Sequence, residues 1–400
     1  MAAAKNPSMK EFIVLMASLM SIVAISIDAT LPALGYISKD LAIDNPNHAQ
    51  YIIGFIFIGM AIGQLICGPL SDAMGRKRVL YFGLGVFMAG SAVCFFAQNL
   101  TVMLFGRFIQ GLGVSGPYVS SVAIVRDKYS GRDMARIMSL VMMIFILVPA
   151  IAPSLGQALM LISSWRIIFA LYIVYAIVII IWLHFRLEET LKPENRIKFS
   201  FRNFAHGFGE IMRNRTTVCY TICMGICFGS FLGYLTSSQQ IFQNHFKTGE
   251  MFTIYFGILA LVLGVASFAN SYFVQTLGMR FICKRSILAV IISSAVFLVL
   301  DYAVEIQLWM FMCYAAILFF CFGLVFGNLN SIAMEPMGHI AGMATAIIGC
   351  FDSVVSTILG AVIGQLYDNT LVPMTLGFLV LGVISIGVMA CAEGRKFAKE

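Results

Sequence analysis

The chain has 400 residues, 60% hydrophobic and only 11% charged, with a formal net charge of +7. A water-soluble domain carries roughly 25% charged residues. At a mean hydropathy of +0.92 this chain cannot cover itself with polar surface, so its main solvent is hydrocarbon. A soluble enzyme or a nucleic-acid-binding domain is excluded, and counting domains by length does not apply.

A bilayer core of about 30 Å needs roughly 20 apolar helical residues. Taken in chain order, such runs lie near 11–33, 50–70, 79–97, 100–124, 136–160, 165–185, 216–241, 251–275, 284–301, 307–332, 341–366 and 372–392. Lys5 and Lys10 precede the first run as in a signal peptide. That run, however, exceeds the usual ~7–15 residue apolar core and lacks a small-residue cleavage site, so it reads as an uncleaved span. The alternation of a membrane β-barrel is missing. Helices satisfy their own backbone in lipid, and the expected class is an all-α membrane protein of twelve spans.

Basic residues test the count. One side collects Lys5, Lys10, Arg76, Lys77, Arg78, Arg126, Lys128, Arg132 and Arg136. It also collects Arg186, Lys192, Arg196, Lys198, Arg202, Arg213 and Arg215, then Arg280, Lys284, Arg285, Arg395, Lys396 and Lys399. The other side has only Lys39, Arg166 and Lys247. By the positive-inside rule both termini are expected in the cytoplasm. The long charged interruption divides the chain into a six-span bundle at 1–185, a cytoplasmic linker at 186–215 and a second bundle at 216–400. Two such halves are an arrangement of secondary transporters. The ten cysteines are scattered through apolar runs and read as packing residues; Cys219, Cys223 and Cys227 share a helix face. No metal site is expected.

The first span contains Ile25-Ser-Ile-Asp28-Ala-Thr-Leu-Pro32-Ala-Leu-Gly35, a carboxylate inside an apolar run, with Ser18, Ser21 and Gly35 near the same face. Pro32 is expected to break the helix near its outer end, where a break costs least. The loop between spans 2 and 3 reads Gly68-Pro-Leu70-Ser-Asp72-Ala-Met-Gly75-Arg76-Lys77-Arg78. Span 4 carries Arg107-Phe-Ile-Gln110-Gly111-Leu-Gly113, with Arg126-Asp127 at its end. Span 5 carries Pro149-Ala-Ile-Ala-Pro153-Ser-Leu-Gly156-Gln157, and Trp165-Arg166 and Glu189-Thr190-Leu191 bracket span 6. Gly278, Arg280, Lys284 and Arg285, between spans 8 and 9, faintly echo the span 2–3 loop.

The span 2–3 loop and the span 4 motif resemble those of the major facilitator superfamily. Span 5 resembles a divergent form of the family's antiporter motif. Asp28 with Leu31-Pro32-Ala33-Leu34, the Pro153 region, Glu189-Thr190-Leu191 and Ala341-Gly342-Met343-Ala344 look like its Bcr/CflA branch of drug:proton antiporters (DHA1). The resemblance implies two pseudo-symmetric six-helix bundles. It implies gating by Asp72, Gly75 and Arg76, with Asp72 capping span 11 near Ala341–Gly342. It also implies a motif helix using Pro149, Pro153 and Gly156, and a proton site at the span 1 aspartate. Members of the branch export bicyclomycin- or chloramphenicol-type drugs, amino-acid products or siderophores.

Three formal charges fall deep within these spans: Asp28, Arg107 and Asp352. Each could cost about 3 kcal/mol at the bilayer centre, so each calls for a partner and a function. Asp28 sits about 9 Å from the outer end of span 1 and Arg107 about 11 Å from that of span 4, so the two are expected to meet, directly or through water. Proton coupling is the functional reading and a static helix–helix ion pair the structural one. The resemblance adds that some relatives carry a second acidic residue two turns earlier in span 1, where this chain has Met20 and Ser21. Asp352, on a stripe with Gly349, Ser356 and Gly360, is a candidate second proton or substrate group, or an interhelical hydrogen-bonding group. Tyr118, Tyr234, Gln239, Gln240, Asn328 and Asn330 are candidate cavity groups, or again interhelical partners.

The expected function is a proton-coupled exporter of drugs or small metabolites, working by alternating access in a bacterial inner membrane. It would be a monomer, with no cofactor and no nucleic-acid partner. A dedicated siderophore or metabolite exporter of the same fold is the alternative; a channel or receptor is the alternative from another class. The chain has no P-loop for ATP drive.

Overall fold

The computed structural model describes residues 7–191, 194, 196 and 201–394. Lys5, Lys192, Lys198, Arg395, Lys396 and Lys399 lie outside them, as do the side chains of Arg132, Arg202 and Ala341. Among the described residues, twelve helices are long and apolar enough to cross a membrane: Met9–Asp40, Pro46–Met74, Arg76–Phe95, Leu100–Lys128, Arg136–Ile162 and Arg166–Arg186, then Arg215–His245, Gly249–Leu277, Met279–Ala303, Leu308–Gly338, Gly342–Gln365 and Val372–Glu393. They are spans 1 to 12 below, and each expected run falls on one of them. The chain forms two compact units, Met1–Phe201 and Arg202–Glu400. The division lies inside the expected 186–215 linker, whose second part is an α-helix, Phe201–Arg213.

Local chemistry sets the boundaries. Asn99 and Asn214 cap spans 4 and 7, each side chain accepting a first-turn N–H at 3.0 Å. Gly75 and Gly278, at φ +103° and +79°, end spans 2 and 8; only glycine takes such backbone freely. Span 4 packs at backbone contact on two sides. A β-carbon on Gly111 would strike the carbonyl of Ile56 in span 2, and one on Gly113 the backbone of Phe87 in span 3. The span 4 motif therefore divides into two packing glycines and the polar pair Arg107 and Gln110.

Span 1 departs from expectation. Its α-helix ends at Asp28, a 3-10 turn covers Leu31–Ala33, and a second α-helix runs Leu34–Asp40. The break is therefore interior, not close to the outer end. The span continues because the charged Lys39-Asp40 terminus is held: Asp40 accepts from Arg166 (2.6 Å) and Trp165 (3.1 Å) at the start of span 6.

Candidate functional site

The break frees main-chain carbonyls. Proline has no N–H to offer Asp28, and the N–H of Thr30 bonds to Ile27 instead of Ser26. The Ser26 carbonyl accepts three other donors: Arg107 Nη1 at 2.9 Å, Thr30 Oγ1 at 3.1 Å and Tyr172 OH at 3.3 Å. Tyr172 OH also reaches the Ile25 carbonyl (3.1 Å) and Thr30 Oγ1 (2.8 Å).

Arg107 is fully buried. Nε donates to the Ile52 carbonyl (2.8 Å), Nη1 also donates to Gln110 Oε1 (3.0 Å), and Gln110 in turn donates to Ser91. Phe169 of span 6 lies 5.9 Å from the guanidinium. Nη2 has no hydrogen-bond partner. Asp28 is buried, and its carboxylate makes no hydrogen bond or ion pair among the described residues. The expected direct meeting of Asp28 and Arg107 is thus corrected. Their spans do touch, but the cation serves the carbonyl two residues before the acid, because the broken helix leaves that carbonyl in need of a donor. Positive charge is favoured at such a helix C-terminus.

Span 5 supports the same turn. It is helical through Pro149 and Pro153, and Gly156 lies so close to the Ala29 carbonyl that no β-carbon fits. The antiporter-like motif is therefore seated beside Asp28.

At the basic end of the first unit, Arg76 is 4% exposed. It donates to Asp72 (2.5 Å), Ser71 (3.1 Å) and Asp127 of span 4 (2.9 Å). Asp72 is engaged within this unit, and a different carboxylate caps a helix here. Glu189 accepts the N–H groups of Arg76 (2.9 Å) and Lys77 (3.1 Å) at the start of span 3. Lys77 Nζ returns to the Leu187 carbonyl at the end of span 6 (2.6 Å). Each helix end thus receives the charge its dipole favours.

The second unit repeats the pattern. Arg280, two residues after Gly278, pairs with Glu335 at 3.0 Å and with Glu393 at 2.8 Å, and Glu393 also accepts from Tyr220 (2.5 Å). Spans 7 and 11 pack through Gly225, Gly229, Gly233 and Gly360. Asp352 lies on this seam: its Cα is 3.6 Å from a β-carbon built on Gly225, and its Oδ1 is buried without a partner. Cys223 and Cys227 face Ser385 of span 12, and all ten cysteines are free.

The cavity candidates differ in their surroundings. Tyr234 is 1% exposed, with an unpartnered hydroxyl among Phe231, Phe256 and Phe319. Gln239 donates to Gln243 (2.7 Å), and Gln240 starts a wide turn, Gln240–His245. Asn328 pairs reciprocally with Asn270 of span 8, the interhelical role, whereas Asn330 is exposed. Tyr118 is half-buried in span 4. Sequence reasoning missed Tyr172; an aromatic in an apolar helix gives no signal until its partner carbonyl is known. Glu189 was legible as part of a motif but not as a cap.

The model of the Major Facilitator Superfamily matches residues 15–361. The chain belongs to this superfamily. It is a multi-pass membrane transporter, not an enzyme. It is 30% identical over 386 residues to an uncharacterized MFS-type transporter, YdgK, of Bacillus subtilis, with 95% of each chain covered. It is 26% identical to a bicyclomycin resistance protein homolog of Haemophilus influenzae, covering 94% of each. It is 28% identical to the multidrug resistance protein MdtL of Shigella dysenteriae, covering 98% of each. These names agree with the drug-efflux branch that the motifs resemble. The fold is shared with the xylose transporter XylE of E. coli (TM-score 0.72, 12% identity, 94% and 97% covered). It is also shared with the human organic anion transporter MFSD10 (TM-score 0.70, 16% identity, 97% and 100% covered).

Proposed function

We propose that this transporter is a proton-coupled exporter of drugs or drug-like metabolites, driven by the proton gradient without a cofactor. The observation that carries the reading is Asp28: a buried carboxylate with no hydrogen-bond or ion-pair partner among the described residues, on the last helical turn before a break. Such a group is stable when neutral, and ionising it needs a rearrangement that brings water or a cation. Arg107 holds the same turn through Nη1, and its unpaired Nη2 is a donor that a shift of span 1 would make available. Alternation between these two arrangements ties proton release to helix movement, which is what exchange by alternating access requires. The names of relatives support a drug as cargo. The working unit is a monomer in a bacterial inner membrane, with both termini cytoplasmic.

A dedicated metabolite exporter is the second reading, favoured by the unpartnered carboxylate oxygen of Asp352 in the other unit. The test is counterflow in proteoliposomes with an imposed pH gradient across a substrate panel that includes bicyclomycin. Wild-type protein is expected to accumulate cargo against its gradient, and Asp28→Asn to lose that drive. Proton-driven transport by Asp28→Asn would end the assignment.

A further inference from the structure

Span 6 holds span 1 at four levels. At the outer end Asp40 meets Arg166 and Trp165. At the break Tyr172 meets Ile25, Ser26 and Thr30. Further in, Tyr175 donates to the Ser18 carbonyl at 2.9 Å. At the inner end Glu11 accepts from Arg186 and Trp182. Three of these levels are ordinary ties between continuous helices. The second differs, because it grips the turn that bears Asp28 and shares one acceptor with Arg107.

We infer that Tyr172 is a positioning residue of the proton site: by hydrogen-bonding the Ser26 carbonyl beside Arg107, it sets how firmly the guanidinium is held away from Asp28. The inference rests on Asp28 as the proton carrier. A carbonyl has two lone pairs, and here three donors converge on it. Tyr172 and Thr30 hold one hydroxyl proton each, and they share contacts with one another and with the Ser26 and Ile25 carbonyls. When the hydroxyls serve Ser26, Arg107 is released toward Asp28; when they serve Ile25 and each other, Arg107 is retained. The charged and titratable groups facing this turn are Arg107 of span 4 and Tyr172 of span 6, with Cys94 of span 3 within electrostatic reach of both; Tyr175 of span 6 lies further in, at Ser18. Span 5 presents Gly156 there. Tyr172 lies within electrostatic reach of both Arg107 and Asp28.

The experiment is pH-gradient-driven transport by purified full-length protein in proteoliposomes, measured as a function of internal pH. Tyr172→Phe removes the hydroxyl and keeps the ring on Phe87 and Phe169. The Ser26 carbonyl then depends more on Arg107. The midpoint of the pH profile is expected to move up by about half a unit to one unit, the worth of one hydrogen bond, with KM unchanged and turnover lowered. Thr30→Val is expected to move it in the same sense, and Thr30→Ser to keep the wild-type midpoint. A wild-type midpoint in both Tyr172→Phe and Thr30→Val, with protein inserted at normal levels, would overturn the inference. If Tyr172→Phe fails to insert, Thr30→Val decides alone. Proton drive persisting in Asp28→Asn refutes the underlying reading instead, and the two failures are read from different variants.

Discussion

Gly156 of span 5 lies against the main-chain carbonyl of Ala29, the residue that follows Asp28. A motif whose glycine and prolines look like tolerated kinks is therefore a seat for the broken turn of span 1. The two are far apart in sequence, yet any atom added at Gly156 moves the backbone that carries the acid.

That seat has a measurable consequence. Gly156→Val is expected to destabilise the protein by about 1–3 kcal/mol through overpacking and to abolish transport. Gly156→Ala is expected to impair transport more than stability. Thermal unfolding in detergent and transport in vesicles, measured on the same preparations, separate the two effects. Full activity in Gly156→Val would show that span 1 repacks freely.

The basic ends of the two units differ in burial, and so should their sensitivity. Arg76 is 4% exposed and holds two carboxylates. Its side-chain counterpart Arg280 is 37% exposed. Arg76→Ala is expected to cost about 2 kcal/mol, approaching the loss of a buried pair. Arg280→Ala is expected to cost about 1 kcal/mol or less, as exposed pairs do. Unfolding at low and high salt checks the order, with the Arg280 effect fading first.

At Gly75 a β-carbon would come within 2.5 Å of Glu189 Oε2, and φ is +103°. Gly75→Ala is expected to lose both the backbone conformation and the cap. Glu189→Ala removes the cap alone and is expected to cost about 1 kcal/mol, with Glu189→Gln intermediate. Unfolding midpoints ranked Gly75→Ala, Glu189→Ala, Glu189→Gln, from least to most stable, are the expected result.

Asp352 is expected to act on cargo, not on drive. Asp352→Asn should alter which members of a substrate panel are carried while leaving dependence on the pH gradient intact. An unchanged panel would assign Asp352 to helix packing with span 7.

Topology is directly testable through Cys391, exposed near the end of span 12. As the sole remaining cysteine it is expected to react with a membrane-impermeant maleimide in inside-out vesicles and not in right-side-out ones.

The twelve spans were legible because hydrocarbon demands long apolar helices, and lysine and arginine placement checks the count. Motif residues Arg107, Asp72, Arg76 and Gly156 were legible as types, since charge and glycine are conspicuous in apolar sequence. Their partners were not. Arg107 bonds to main-chain carbonyls of Ser26 and Ile52, and a carbonyl has no letter in the sequence. The same holds for Gly156, whose neighbour is backbone. Tyr172 was missed because its role depends on a helix break 146 residues earlier. The symmetry of the two arginine clusters was faint because Asp127 and Glu335 differ in type while making the same kind of bond.

The separation of spans 1 and 6 along the chain also sets an order of assembly. Ser26 leaves the ribosome 146 residues before Tyr172, on the order of ten seconds at about 5–20 residues per second. Arg107 follows Ser26 after 81 residues, so the turn of the nascent first helix first lacks both donors and then lacks Tyr172 alone. The four-level attachment between spans 1 and 6 can therefore close only after span 6 has been made.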